Sequence, residues 1–407
     1  MDYLERFQRL DAWLQQHQAL WRARPFMQRQ LAWEGDWPAL AAYLRSRTLE
    51  QAEAQHNAPQ LLDAPHPFTN WARQSLDFCA LPEWSRPPSI SVPEQLIRHV
   101  PGRKQEQVYR FADVAMGRLP NEPERWLDWC AGKGHLGRLL AWQSGRPVIC
   151  LEQDAVLNQQ GRELSQQSQV TAEHIDADVL NAPSWDHLTP ARTPVALHAC
   201  GQLHMTLLEQ AVTQRCPQLV IAPCCYNRIP GENYQPMSHA GRAAQLRLSR
   251  QDLSLPLQES VTAGQRVRRL RDQSMAWRLA FDIWQREGRG VDAYLPTPSR
   301  PESAMGAGIA AYCRFFAQHH NLTLPEPEDW SRLESQGWAL LAQVRNLELV
   351  GALFRRPLEI WLMLDRALYL QEAGYRVELG QFCPADLTPR NLMLIASCET
   401  QQLAPSL

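Results

Sequence analysis

The chain has 407 residues, enough for two or three domains or one domain with large additions, and 44% of them are hydrophobic, enough for full-sized cores. A net charge of −2 gives no global basic field for nucleic acid, and no apolar run approaches the roughly 18 residues a bilayer span needs, so no membrane helix or signal peptide is expected. Ten cysteines without a CxxC or a repeated spacing argue for reduced thiols, and the cytoplasm is the expected location.

At the start of the chain, Leu4, Phe7, Leu10, Leu14 and Trp21 recur at helical spacing with Arg, Gln and Glu opposite, and residues 1–97 are predicted as a helical N-terminal region. Proline-rich stretches at 64–71 and 83–96 suit a connecting segment. From about residue 98 short apolar runs alternate with helical patterns. The runs at 125–131, 147–152, 170–176, 194–201 and 218–226 are predicted strands, and helices between them imply right-handed crossovers and a parallel sheet covered on both faces. Residues 236–349 break this rhythm as a helical insertion. One more helix ends at Gly374, and 375–383 and 390–397 read as two final strands. The sheet domain is therefore assigned to 98–235 and 350–400.

The stretch WLDWCAGKGHLGRLL (126–140) contains G-x-G-x-x-G, and Glu152 stands twenty residues past the first glycine, Gly132. By letters alone this is a dinucleotide fingerprint, which keeps a nicotinamide or flavin oxidoreductase open as an alternative. Asp128 argues against it. Four residues before Gly132, its charge is unwelcome to a pyrophosphate, whereas the α-ammonium of S-adenosylmethionine would find a counter-ion there. In that reading Glu152 accepts the ribose hydroxyls, and Asp178, or Asp176, accepts the adenine amino group.

Three blocks in order, DWCAGKGHLGR (128–138), ALHACGQL (196–203) and APCCYN (222–227), resemble a class I methyltransferase domain. It is the domain of the methyltransferase-like and rRNA-adenine-dimethylase-domain-containing group, which is also fused in the glutathione S-transferase C-terminal-domain-containing proteins. More distantly it is similar to tRNA 2'-O-methyltransferases. GRKQEQV (102–108) resembles the basic segment preceding the domain in these families, and LTPRNLMLIA (387–396) their final hairpin. The resemblance implies a Rossmann-like class I methyltransferase fold, α/β with a mostly parallel seven-stranded sheet. Here the helical N-terminal region would precede it and the helical insertion would interrupt it before the last two strands. One departure is plain: Cys130 stands where the usual D-x-G-x-G-x-G loop has its first glycine.

The expected cofactor is S-adenosylmethionine, contacted by Asp128, Cys130, Gly132, Lys133, Gly134, His135, Glu152, Asp178 and His198. The expected acceptor side is His198 as a base, with Cys225, Tyr226 and Asn227 at the floor of the acceptor pocket. His198, Cys200, Cys224 and Cys225 have suitable metal-ligand types, but adjacent cysteines and the lack of short ligand spacings predict no metal. Small thiols packing the sheet centre are the plain alternative.

Residues 264–290 hold seven Arg against three acidic residues, 7 − 3 = +4, with Val267, Leu270, Trp277, Phe281 and Trp284 forming an apolar stripe. Arg266, Arg268, Arg269 and Arg271 are thereby expected on the open face, where they suit RNA. A protein or small-molecule acceptor, or a module that binds the cofactor without turnover, are the alternatives.

Overall fold

The computed structural model describes residues 2–84, 92–97, 100–258 and 265–398, so half of the expected connecting segment at 83–96 and the expected start of the sheet domain at 98 lie outside the described residues. The chain divides into two units. The first comprises Met1–Gln15, Phe78–Val261 and Arg356–Leu407, and the second Gln16–Asp77 and Thr262–Arg355.

The first unit is built on seven strands: β1 (Arg125–Trp129), β2 (Val148–Glu152), β3 (Ala172–Asp176), β4 (Arg192–Cys200), β5 (Gln218–Cys224), β6 (Arg376–Gln381) and β7 (Leu392–Ser397). Their order across the sheet is β3-β2-β1-β4-β5-β7-β6. Strands β1 to β5 run parallel, and β7 is antiparallel to both its neighbours. Every strand expected from the sequence is present. Helices α1 (Tyr3–Gln16), α2 (Gly102–Arg118), α3 (His135–Ser144), α4 (Ala155–Gln167), α5 (Gln202–Thr213) and α6 (Arg355–Glu372) accompany the sheet.

Coverage on both faces explains the strand composition. All seven residues of β5 are buried, whereas the edge strand β3 leaves Glu173 and Asp176 exposed. In one core cluster, Val108 and Phe111 of α2 and Leu136, Leu139 and Leu140 of α3 pack with Trp126, Val148, Val195, Val220 and Ile395 of the strands. Phe7 of α1 meets Trp361 of α6 at a centroid distance of 5.0 Å, and Asp11 Oδ1 accepts the Trp361 indole N–H at 3.0 Å. Of the predicted N-terminal stripe, Phe7, Leu10, Leu14 and Trp21 are buried, while Leu4 is exposed.

The division differs from the one expected by composition. The first 15 residues group with the sheet unit rather than with residues 16–77. The stretch after β5 also stays with the sheet because α6 holds it: Asp365 accepts the Tyr234 hydroxyl at 2.6 Å, the Met237 N–H at 2.9 Å and the Ser238 N–H at 3.0 Å.

The second unit is helical. Helices Gln265–Arg289 and Trp330–Ala352 pack closely where Gly337 faces Ala276 and Ala280 without a side chain of its own. Trp277, Phe281, Trp284, Tyr312 and Phe316 form its aromatic core. Asn346 ties the segment entering helix Leu49–Gln55, donating to the carbonyls of Arg47 at 3.2 Å and Thr48 at 3.0 Å.

Candidate active site

In an open parallel sheet the ligand crevice lies at the carboxyl ends of the strands, where the strand order reverses. Here that point falls between β1 and β4, and the chain is unusual on both sides of it. Cys130, Gly132 and Gly134 after β1 all have left-handed φ, at 61°, 57° and 66°. On the other side His198, at a register shift in β4, has φ 72°, and Cys225 after β5 has φ 38°. A non-glycine residue in this region costs on the order of 1–3 kcal/mol, and such strain gathers at functional sites.

The glycine loop is fixed from below. Asp128 Oδ2 accepts the Gly137 N–H at 2.8 Å, which pins the first turn of α3 to β1. Gly137 has no side chain because Cys150, Val148 and Asp128 crowd its Cβ position. Asp128 is only 3% exposed, and burial pushes its pKa up to about 7, opposed by the Gly137 hydrogen bond and the charges of Arg138 and Lys104. Asp128, expected as a counter-ion to the cofactor's α-ammonium, has almost no contact with solvent and shapes the loop from beneath.

Glu152 at the end of β2 is half-buried. Its Oε2 accepts the Gly132 N–H at 2.9 Å and its Oε1 the Asp154 N–H at 3.0 Å. Each oxygen keeps a second lone pair, so the carboxylate can brace the loop and still accept a diol. Asp178 accepts the Leu180 N–H at 3.0 Å and the Asn181 side-chain amide at 2.9 Å. Asp176 is exposed and accepts Asn158 Nδ2 at 2.6 Å. His135 Nδ1 pairs with Arg138 at 2.8 Å, and Arg138 also donates to the Lys133 carbonyl. The Lys133 side chain is half-buried at the same turn.

His174 on β3 was missed by sequence reasoning. Its ring fills the space that Cβ atoms on Gly134 and Gly161 would need, and Nε2 bonds Ser165 Oγ at 2.9 Å. Burial, with Arg138 and Arg162 nearby, pushes its pKa down to about 4. Gln107 was missed as well: its Oε1 lies 3.1 Å from His198 Nε2 and its amide donates to the Leu387 carbonyl at 3.4 Å. Its signal was the GRKQEQV block itself, which the fold carries to the sheet edge as α2. With the amide oxygen as acceptor, His198 carries its proton on Nε2 and presents Nδ1 as a base. Burial and Lys104 lower the His198 pKa, so the ring is neutral at neutral pH.

The PCCYN block divides. Cys225 and Asn227 are half-buried, and Asn227 Nδ2 donates to Ser254 Oγ at 3.1 Å. Tyr226 corrects the expectation of a pocket floor. It is 1% exposed, its hydroxyl donates to Glu359 Oε1 at 3.2 Å, and the Arg366 guanidinium sits 5.3 Å from its ring centroid. The turn at Cys225 sends the phenol into the core. The sulfurs of Cys200, at the end of β4, and of Cys224 and Cys225, at the end of β5, lie within 4.8 Å of one another. Thiol hydrogen bonds from Cys200 and Cys224 hold the Cys225 pKa well below the ordinary thiol range, and Arg228 and Arg390 act in the same direction.

Residues 103–232 match a family model described as a methyltransferase domain. A glutathione S-transferase C-terminal domain-containing protein from Xenopus laevis is 27% identical over 167 residues, 40% of this chain and 25% of that protein, so the chain spans a quarter of the curated relative's length. Similar solved structures include a tRNA (uracil-54, C5)-methyltransferase from Pyrococcus abyssi in complex with S-adenosyl-L-homocysteine. It has 18% identity and a TM-score of 0.25, with 30% of this chain and 29% of that one covered. A geranyl diphosphate C-methyltransferase from Streptomyces coelicolor A3(2) shows 12% identity and a TM-score of 0.24, over 38% and 62% of the two chains.

The residues present fit S-adenosylmethionine, the cofactor of this domain. No atom lies within 4 Å of the Cβ position above Gly132, so the loop is open toward a ligand while its backbone is held by Glu152. An acidic residue stands at the end of β2 and others follow at the end of β3, in the order a ribose and an adenine require. Residues 103–232 match a methyltransferase domain, and the mostly parallel seven-stranded sheet to which they contribute β1 to β5 has the Rossmann-like fold of class I methyltransferases.

Proposed function

We propose that this chain is an S-adenosylmethionine-dependent methyltransferase whose acceptor is RNA. The single observation that carries the acceptor is at the start of helix Gln265–Arg289. Arg266, Arg268, Arg269 and Arg271 are all exposed there, and none makes a hydrogen bond or ion pair with another described residue. Exposed arginines usually find a carboxylate; Arg268 acts on the charge of Glu53 nearby, and the cluster as a whole, four arginines within six residues with no hydrogen-bonded carboxylate, is available to phosphate oxygens. Val267, expected on the buried stripe, is 51% exposed beside them, while Trp277, Phe281 and Trp284 are buried.

When bound, S-adenosylmethionine supplies an electrophilic methyl carbon on a sulfonium. The chain's own work is placement and proton handling. Glu152 and the loop from Cys130 to Gly134 hold the donor side, and alignment of the acceptor atom with the methyl carbon supplies much of the rate. His198, oriented by Gln107, receives at Nδ1 the proton that a hydroxyl or amine acceptor must lose. Ten free cysteines suit a reducing compartment, and the cytoplasm is the proposed location.

Modified nucleosides and methylated peptides from wild-type and deletion cells, compared by mass spectrometry, test the acceptor. The proposal expects one methylated nucleoside to disappear on deletion. An unchanged nucleoside profile with a missing protein methyl mark would overturn it. In vitro, the quadruple Arg→Gln change at 266, 268, 269 and 271 should weaken RNA binding and flatten its salt dependence by about 0.7 per lost phosphate contact on a single strand.

A further inference from the structure

The three thiols at the carboxyl ends of β4 and β5 are brought together by two backbone irregularities. Neighbouring side chains on a strand point to opposite faces, so the adjacent Cys224 and Cys225 would normally diverge. The left-handed φ of 38° at Cys225 turns the chain out of the strand and returns its sulfur to the side of Cys224. On β4 the register passes from Leu197 opposite Ala222 to Cys200 opposite Cys224, three steps against two. The extra residue is absorbed where His198 takes φ 72°, and Cys200 Sγ then lies 3.3 Å from Cys224 Sγ. Thiols that only fill a core need neither distortion, and the chain carries the cost of both.

We propose that Cys200, Cys224 and Cys225 hold a thiophilic divalent cation of the zinc type, with one coordination position left open. Three thiolates at about 2.3 Å from a tetrahedral ion stand about 3.8 Å apart. The sulfurs here, 3.3 Å apart for one pair and all within 4.8 Å, bracket that spacing. Sulfur donors select such an ion over magnesium or calcium. Cys200 and Cys225 are half-buried, which leaves an entry path to the deeper Cys224. Three thiolates around a dication carry one net negative charge, and the guanidinium groups of Arg228 and Arg390 act on Cys225 with the opposite sign. Among the described residues no further His, Cys or carboxylate joins the cluster, so the fourth position belongs to an exchangeable ligand, as in zinc sites that do chemistry. Coordination replaces up to three S–H bonds by S–metal bonds and releases the protons to solvent.

The test needs neither methyl donor nor RNA, so its failure is separate from failure of the methyltransferase reading. The full chain, reduced and stripped of metal, is titrated with cobalt(II) and then zinc(II), with thiolate-to-cobalt charge-transfer absorption as the readout. One equivalent of cobalt should produce the charge-transfer band and the visible bands of tetrahedral cobalt, and zinc should abolish both. Cys225→Ser, at one of the two half-buried positions, should weaken binding by more than about 100-fold, whereas Cys313→Ser in the second unit should leave it unchanged. No band from the wild-type chain overturns the proposal without recourse to any variant, as does a band of equal strength in Cys225→Ser. A Cys200–Cys224 disulfide recovered by mass mapping from protein purified under reducing conditions would also overturn it, in favour of a redox pair.

Discussion

Cys130 occupies the one position of the donor loop where the usual motif asks for glycine, and its φ of 61° shows why. The loop keeps its left-handed turn and the thiol side chain bears the strain. Cys130→Gly should therefore stabilise the folded protein by about 1 kcal/mol, within the cost of a left-handed non-glycine residue, and leave affinity for S-adenosylhomocysteine intact. Denaturant melts and calorimetry on the two proteins check both halves; a destabilised variant would mean that the sulfur packs in a way that outweighs the strain. His174 gives a pH prediction of definite sign. Its folded pKa of about 4 lies below its ordinary 6.5, so the unfolded chain binds the proton first. The stability it contributes is complete above pH 6.5 and is lost as pH falls toward 4. The stability of wild type relative to His174→Gln should shrink over that window, measured as the difference between their unfolding midpoints. A constant difference would show that the ring titrates normally.

At the scale of elements, strand existence was legible because β1, β2, β4 and β5 are nearly continuous apolar runs punctuated by glycine, and a sheet covered on both faces demands that composition. The details that build the site were not legible. A period-two strand gives no warning of the shift at His198 or the turn at Cys225, so Tyr226 was expected in a pocket and lies in the core, while the thiols expected at the sheet's carboxyl edge converge to within 4.8 Å, closer than the strand period implies. Gly201 bears on the same feature. It joins β4 to α5 at φ 53° and ψ −118°, and a Cβ there would overlap the Arg228 carbonyl, which accepts the Gln202 N–H at 2.8 Å. Gly201→Ala should destabilise the sheet unit by more than about 3 kcal/mol, combining overlap with a backbone region reserved for glycine. Near-neutral stability of that variant in a denaturant melt would contradict the described path of the β4–α5 turn.

For the molecule as a whole, the alternation of strands and helices predicted the architecture, but composition could not assign the helices to units. Residues 1–15 look no different from 16–77, yet Phe7 and Asp11 find Trp361 on α6 and join the sheet. Likewise nothing in the letters after β5 shows that a single buried carboxylate, Asp365, keeps Tyr234, Met237 and Ser238 with the sheet. The residues expected at the donor site, Gly132, Gly134 and Glu152, are neighbours at one sheet edge, whereas the groups expected at the acceptor are spread along the chain. The central claim, that this edge binds S-adenosylmethionine through the Glu152-braced loop, is tested most directly by calorimetry with S-adenosylhomocysteine, NAD and FAD on wild type and Glu152→Ala. The account predicts one site for S-adenosylhomocysteine, no heat with either dinucleotide, and affinity reduced by about 10- to 100-fold in the variant, the loss expected for a charged hydrogen-bond acceptor. Selective binding of a dinucleotide, or unchanged affinity in Glu152→Ala, would contradict it.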